Sequence, residues 1–147
     1  MDYSELCGVL QRIPILEALS DANQKLLAFT SQRLIYEDGE VLFHIDEPAE
    51  DVYLVIEGEV EQLVINEHTE VSIGVIGKHQ LFGEMAVIRN IPRLVTVRAN
   101  GRVEVLRIEG EMFLQMATST PAAALTVMQE MALKISNIVA NHKDDLA

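Results

Sequence analysis

The feature that most constrains this chain is a series of short apolar runs, rich in β-branched and aromatic residues, that follow one another from residue 34 to residue 108. They cover 34–36, 41–43, 51–57, 59–66, 70–76, 81–82, 94–99 and 103–108. Turn-forming residues separate them: Asp38-Gly39, Glu47-Pro48, Gly58, Asn66-Glu67, Gly77 and Asn100-Gly101. Strands this short and this regularly spaced argue against alternating β-α units and predict a sandwich or closed roll. Alternation assigns faces. Val52, Leu54 and Ile56 share one side of their strand, Val71, Ile73 and Val75 share one side of theirs, and Val95 goes with Val97.

Both ends read as helical. Residues 3–11 predict a short apolar-rich helix closed by Pro14, and Ser20 with Asp21 supplies an N-cap and first turn for a helix carrying Lys25, Leu26, Leu27 and Phe29. Ser119-Thr120-Pro121 places a hydroxyl at a cap and proline in a first turn, predicting a helix from Pro121 to about Lys143. Along it Leu125, Met128, Ala132, Ile135, Val139 and His142 repeat at spacings of three and four, the pattern of a packing seam. Val127, Met131, Leu133 and Ile138 widen the apolar surface. Such a helix can lie on its own roll and still offer a second face, so a homodimer through it is expected. With 147 residues the chain suits one domain, with helices over 3–30, a β-roll over 33–109 and helices over 110–143. The expected fold class is mainly β with flanking helices: an eight-stranded, jelly-roll-like β-roll with N-terminal helices, a short inserted helix and a long C-terminal helix.

Composition narrows the functions. Hydrophobic residues make up 49% of the chain, enough to build a core without disulfide staples. Cys7 is the single cysteine, so an intramolecular disulfide and a thiolate metal cluster are both excluded, and Cys7 reads as a small hydrophobe. No apolar run approaches the roughly 18 residues of a membrane span. The N-terminus lacks the basic segment and apolar stretch of a signal peptide, which makes a cytoplasmic location the expectation. A formal charge of −12 argues against a nucleic-acid partner, whose phosphates need a basic face. An anionic ligand would need a local, sheltered positive site. His44, His68, His79 and His142 are scattered rather than set at metal-ligand spacing, and no catalytic triad order, phosphate loop or paired-carboxylate cleft emerges. No enzyme activity, metal or cofactor is expected.

The segment from Phe82 to Val97 supplies that positive site. Residues 84–90 interrupt the β pattern and have room for only one or two helical turns. Gly83 permits close backbone approach or an unusual dihedral, and the first helical turn after it exposes N–H groups and partial positive charge. Pro92 stiffens the return to the sheet, Arg93 brings a forked donor suited to phosphate, and Glu84 can accept hydrogen bonds from ligand hydroxyls.

In this combination and order, Phe82-Gly83-Glu84-Met85-Ala86-Val87-Ile88, then Pro92-Arg93-Leu94-Val95, resembles the phosphate-binding cassette of the cyclic-nucleotide-binding domain family, that of the catabolite activator protein and the regulatory subunits of protein kinase A. Upstream, residues 36–43 look like the family's early glycine turn and strand, and residues 51–60 like its central hairpin. The resemblance covers nearly the whole chain. It implies a ligand-binding site of Gly83, Glu84, Met85, Ala86, Arg93, Leu94 and Val95, with Glu84 on the ribose 2′-hydroxyl, the Ala86 N–H on the cyclic phosphate and Arg93 paired with its charge. It further implies that the final helix closes over the base and relays occupancy to a possible effector protein.

The chain departs from the pattern in three places. Leu94 stands where many members carry a small or hydroxylated residue. It is bulkier and has no hydroxyl, which favours cAMP over cGMP as the ligand. Ile138 and Val139 fall where activator-like members place a hydroxyl pair, with Ser136, Asn137 and Asn141 the nearest polar residues. No helix-turn-helix follows, so a transcription-factor output is not expected. The sequence therefore predicts a cAMP-sensing regulatory module, with an interaction module that binds no nucleotide, or another small ligand, as the alternative.

Overall fold

In a computed structural model, residues 3–141 are described. The chain runs through α1 (Tyr3–Leu10), α2 (Pro14–Glu17), α3 (Asp21–Thr30), β1 (Gln32–Tyr36), β2 (Val41–Phe43), β3 (Asp51–Glu57), β4 (Val60–Asn66), β5 (Thr69–Ile76), β6 (Leu81–Phe82), α4 (Glu84–Arg89), β7 (Thr96–Ala99), β8 (Val103–Glu109), α5 (Gly110–Ala117) and α6 (Pro121–Asn141). Among the described residues the strands form two four-stranded antiparallel sheets, ordered β1-β8-β3-β6 and β2-β7-β4-β5. The expected β-roll with flanking helices is the fold.

The two faces of β3 explain how the layers stack. Val52, Leu54 and Ile56 point to one side, where they join Leu106 and Ile108 of β8, Leu81 of β6, and Leu6, Leu10, Leu27, Phe113 and Met116 from the helices. Tyr53 and Val55 point to the other side, into a second cluster with Phe82, Val103 and Val105 from their own sheet and Phe43, Val60, Val97 and Ala99 from the facing one. The first sheet is thus covered on both faces, by helices outside and by its partner sheet inside. Each fully buried aliphatic chain in these clusters contributes roughly 1.5–3 kcal/mol.

The caps are where the sequence placed them. Ser20 accepts from the Asn23 N–H at 3.2 Å, and Thr120 from the Ala123 N–H at 3.0 Å. Gly58 turns β3 into β4 with φ +85°, and a Cβ there would meet the Arg102 carbonyl oxygen at 2.5 Å. Only glycine fits.

The structure adjusts several of these expectations. Pro14 does more than close the first helix: it opens a one-turn helix of its own at the first position, where its missing N–H costs nothing. The strand expected over 94–99 starts only at Thr96, because Arg93 is pinned to another loop just before it, and the strand expected over 59–66 starts at Val60. Val71, Ile73 and Val75 do lie along a strand, but β5 is the edge of its sheet and all three stay exposed. On α6 Ala123, Val127 and Met131 pack inward, so the expected seam of Leu125, Met128, Ala132, Ile135 and Val139 lies on the second, solvent-facing side of the helix. His142 and Lys143 lie outside the described residues. No helix among the described residues is long and apolar enough to cross a membrane.

Candidate functional site

The segment joining β6 to β7 is shaped by backbone conformation before any side chain acts. Phe82 ends β6 in the inter-sheet core, and Gly83 then takes φ +80° to reverse the chain into the six-residue helix α4. A Cβ on Gly83 would lie 2.7 Å from the Arg93 Nη1 atom, so the glycine serves both the dihedral and the approach of that guanidinium. Asn90 closes the helix in the left-handed region at φ +53°, and Ile91 N–H turns back to the Ala86 carbonyl at 3.0 Å. After Pro92, the backbone of Arg93 is fixed at both ends. Its N–H donates to the Glu47 carbonyl and its own carbonyl accepts from the Asp46 N–H, each at 2.8 Å.

Arg93 is 3% exposed. Its Nη1 donates to the Gly83 carbonyl at 2.7 Å and its Nη2 to the Asp51 carbonyl at 2.5 Å, tying the start of α4 to the start of β3. The guanidinium carbon lies 4.0 Å from the centre of the Phe43 ring and 6.0 Å from that of Tyr53. Tyr53 stacks on Phe82 with centroids 5.2 Å apart, so the aromatic floor is itself held by packing. Arg93 Nε is buried without a hydrogen-bond partner, and Arg93 makes no ion pair among the described residues. Burial draws the guanidinium below its ordinary pKa, opposed by the fields of Tyr53, Asp51, Glu47 and Glu84. Burial likewise pushes the Tyr53 hydroxyl up.

Glu84, at 1% exposure, is still more deeply buried, and its charge is met differently. Lys134 of α6 reaches across to it, its Nζ pairing with Glu84 Oε1 and donating also to the Leu81 carbonyl at 3.1 Å. The lysine side chain is 36% exposed, so one partner of the pair is dry and the other is partly in water.

Of the remaining predicted site residues, Ala86 is buried and Met85 and Gly83 partly so, all three on or beside α4. Val95 packs against the inter-sheet cluster. Leu94 is 52% exposed. Ile138 and Val139 are about half exposed on α6, Ser136 and Asn137 are exposed, and the Asn141 side chain lies outside the described residues. Four contributors escaped the sequence: Lys134, the ring faces of Phe43 and Tyr53, and Thr96, whose buried hydroxyl accepts from the Ile45 N–H at 2.9 Å and fixes the neighbouring loop. Lys134 alone left a trace, as a cation falling next on the inward stripe Ala123, Val127, Met131 at helical spacing.

The assembled site offers a buried, aromatic-backed guanidinium tied to the turn into α4, and a buried carboxylate on the first residue of that helix. This is equipment for an anion that also carries hydroxyls. Comparison with known proteins agrees. The cyclic nucleotide-binding domain family matches residues 33–120. The cAMP-dependent protein kinase type II regulatory subunit of Drosophila melanogaster is 34% identical over 101 residues, which is 69% of this chain and 26% of that protein. The chain spans only about a fifth to a quarter of the length of the curated relatives it matches. Among solved structures, the sensor domain of the transcriptional regulator DNR from Pseudomonas aeruginosa superposes with TM-score 0.80 at 19% identity, over 90% of each chain. The cAMP-bound regulatory domain of Toxoplasma gondii protein kinase A superposes with TM-score 0.77 at 20% identity, over 88% of this chain and 50% of that one. At such identities the two structures speak for the fold, and the match over 33–120 speaks for descent. With the roll, the cassette and the family match in agreement, the chain belongs to the cyclic nucleotide-binding domain family.

Proposed function

We propose that this chain is a non-catalytic regulatory module that binds a cyclic nucleotide, cAMP in preference to cGMP, and passes occupancy on through α6. The observation that carries the proposal is Arg93: a guanidinium at 3% exposure, with an orphaned Nε and no carboxylate partner among the described residues. A buried cation held only by carbonyl dipoles and ring faces is costly to keep. An anionic ligand repays that cost, and the cyclic phosphate is the anion the family binds. Arg93 would then pair with the phosphate, the Ala86 N–H would add a donor, and Glu84 would accept the ribose 2′-hydroxyl. Gly83, Met85 and Val95 shape the walls. Leu94, with no hydroxyl to offer guanine, supports the preference for cAMP.

The half-exposed stripe of Leu125, Met128, Ile135 and Val139 supports the further proposal of a homodimer through α6. A second reading has its own observation. Glu84 already has a partner in Lys134, as it would in an interaction module that keeps the fold and binds no nucleotide.

Thermal unfolding with cAMP, cGMP and linear AMP separates the two. A ligand at about 100 times its dissociation constant adds about 2.7 kcal/mol, a rise of several degrees in a domain of this size. The nucleotide reading expects that rise with cAMP, a smaller one with cGMP and none with AMP. Equal midpoints in all three up to millimolar concentration would leave the interaction module.

A further inference from the structure

Asp51 serves two arginines at once. Its main-chain carbonyl accepts from Arg93 Nη2 at 2.5 Å, yet its carboxylate makes no ion pair with that guanidinium. The carboxylate lies instead 3.9 Å from Nε of Arg107 on β8. Strand register explains how the three groups meet. Tyr53 pairs with Arg107 across β3 and β8, and Tyr53, Val103 and Val105 all face the inter-sheet cluster. Side chains two residues apart share a face of a strand, so Asp51 and Arg107 lie on that same side. Arg107 Nη2 also donates to Gln32 Oε1, its cross-strand neighbour on β1, which sets the direction of the guanidinium. Both groups of the pair keep contact with water: the Asp51 side chain is 27% exposed and that of Arg107 37%.

The same division recurs around Arg93. Three carboxylates act on it through their fields, those of Asp51, Glu47 and Glu84. Each is held by a different basic side chain: Asp51 by Arg107, Glu47 by the His44 Nδ1 atom at 2.7 Å, and Glu84 by Lys134. Burial favours an acidic partner for a guanidinium, and none of the three takes that place.

We infer that Arg107 is a positioning residue for Arg93: by holding the carboxylate of Asp51, it keeps that charge away from the guanidinium and leaves Arg93 to a ligand anion. The identity of the anion rests on the proposed nucleotide site, whereas the sharing of Asp51 rests on geometry alone. Asp51 is the acidic neighbour with the least to change. Its carbonyl is already on Nη2, so a rotation of its side chain, without movement of the strand, separates the present arrangement from an Asp51–Arg93 pair. A carboxylate in contact with the guanidinium would cancel its charge towards a second anion. Phosphate affinity would then fall by electrostatics, with no donor lost.

Calorimetric titration with cAMP and the side-chain NMR signal of the Arg93 Nε–H group test this in Arg107→Met, Arg107→Lys, Asp51→Asn and the double variant of Arg107→Met with Asp51→Asn. Arg107→Met should bind cAMP about fivefold more weakly, the upper end for one partly exposed ion pair. Arg107→Lys keeps the charge and should bind within about twofold of the unaltered protein. The double variant should regain the affinity, because no carboxylate remains to turn. Without nucleotide, Arg107→Met should shift the Arg93 Nε–H signal, and the double variant should return it. Equal weakening in Arg107→Met and the double variant would overturn the proposal, since Arg107 would then act without Asp51. An Arg93 signal unmoved by Arg107→Met would overturn it as well, whether or not nucleotide binds. If the unaltered protein binds no cAMP, the nucleotide reading falls, while a signal shift reversed by Asp51→Asn still upholds the hold of Arg107 on Asp51. If Arg107→Met does not fold, Asp51→Asn alone decides: cAMP binding no weaker than in the unaltered protein is expected, and a several-fold loss would overturn the proposal.

Discussion

Two charged side chains lie in the same short segment, almost equally buried, and the protein answers their charges by opposite means. Glu84 is compensated by a full opposite charge that arrives from a remote helix and keeps contact with water. Arg93 is compensated by local groups without net charge, namely the carbonyls of Gly83 and Asp51 and the face of Phe43. The difference lies in what can be removed. Lys134 can leave Glu84 by a side-chain rotation or a shift of α6, because its own head is already partly solvated. The carbonyls cannot leave Arg93 without unfolding the start of β3 or the turn into α4. Glu84 is therefore the exchangeable side of this contrast and Arg93 the fixed side: the partner of one can move off into water, while the other keeps its partners and has its Nε unused.

The largest test of this contrast removes the fixed charge. Arg93→Met should leave two buried carbonyls without donors, at about 1–3 kcal/mol each, for a total loss of roughly 3 kcal/mol. The midpoint of thermal unfolding should drop by roughly 10 °C, and the rise with cAMP should vanish. A variant that kept its stability and lost only the nucleotide response would mean that Arg93 is held for the ligand alone, and the structural half of its role would be wrong.

Gly83→Ala comes next, because it presses on Arg93 without deleting it. The new Cβ would sit 2.7 Å from Nη1, at a φ of +80° that an L side chain tolerates poorly. The left-handed conformation alone costs roughly 1–2 kcal/mol, and the guanidinium must also shift. A loss of about 2 kcal/mol with weakened cAMP binding, read by chemical denaturation and calorimetry, is expected. If affinity survived intact, the turn would matter only for folding.

How much of this was legible beforehand differs between the two charges in the same way. The Gly83, Glu84 and Arg93 positions stand in the sequence as a local pattern, because a reversal, a short helix and a return to the sheet must be written in consecutive residues. The double-sided burial of β3 was half legible: the alternation of Val52, Leu54 and Ile56 gave the face, while nothing local revealed that Tyr53 and Val55 meet a second sheet. Val71, Ile73 and Val75 alternate just as cleanly and stay exposed, since alternation reports a strand and not its place at a sheet edge. Lys134 was the hardest to find. Its meaning depends on which face α6 turns inward, and the seam at Leu125 and Met128 marks the opposite face. Apolar residues on both faces of a helix leave its rotation open, and only the tertiary packing of Ala123, Val127 and Met131 decides it.

Glu84→Gln tests the exchangeable side. It keeps the shape and an acceptor oxygen but drops the charge, and Lys134, already partly in water, can rehydrate. Stability should therefore fall by only about 1 kcal/mol, discounted for the exposed partner. A hydroxyl bonded to a neutral amide in place of a carboxylate should lower cAMP affinity by roughly tenfold. Stability and affinity thus separate here, where they fall together for Arg93. A loss of stability as large as that of Arg93→Met would erase the distinction between the two sides.

The smallest effect on stability belongs to Leu94, which follows the fixed charge directly. At 52% exposure it contributes little to the core, so Leu94→Thr should leave the unfolding free energy within about 0.5 kcal/mol. What it changes is chemistry, by putting a hydroxyl next to Arg93 where the chain now has none. A new neutral hydrogen bond is worth about 0.5–1.5 kcal/mol net, so cGMP should gain between about twofold and tenfold in affinity. The gain for cAMP should be smaller, because adenine does not offer the same pattern of donors. The ratio of the two dissociation constants is the quantity to measure, since any general loosening of the loop cancels in it. A ratio that moves towards cGMP would place the residue after Arg93 within reach of the ligand. An unchanged ratio would mean that Leu94 lies out of reach of the ligand, and selectivity would then have to come from α6, on the exchangeable side.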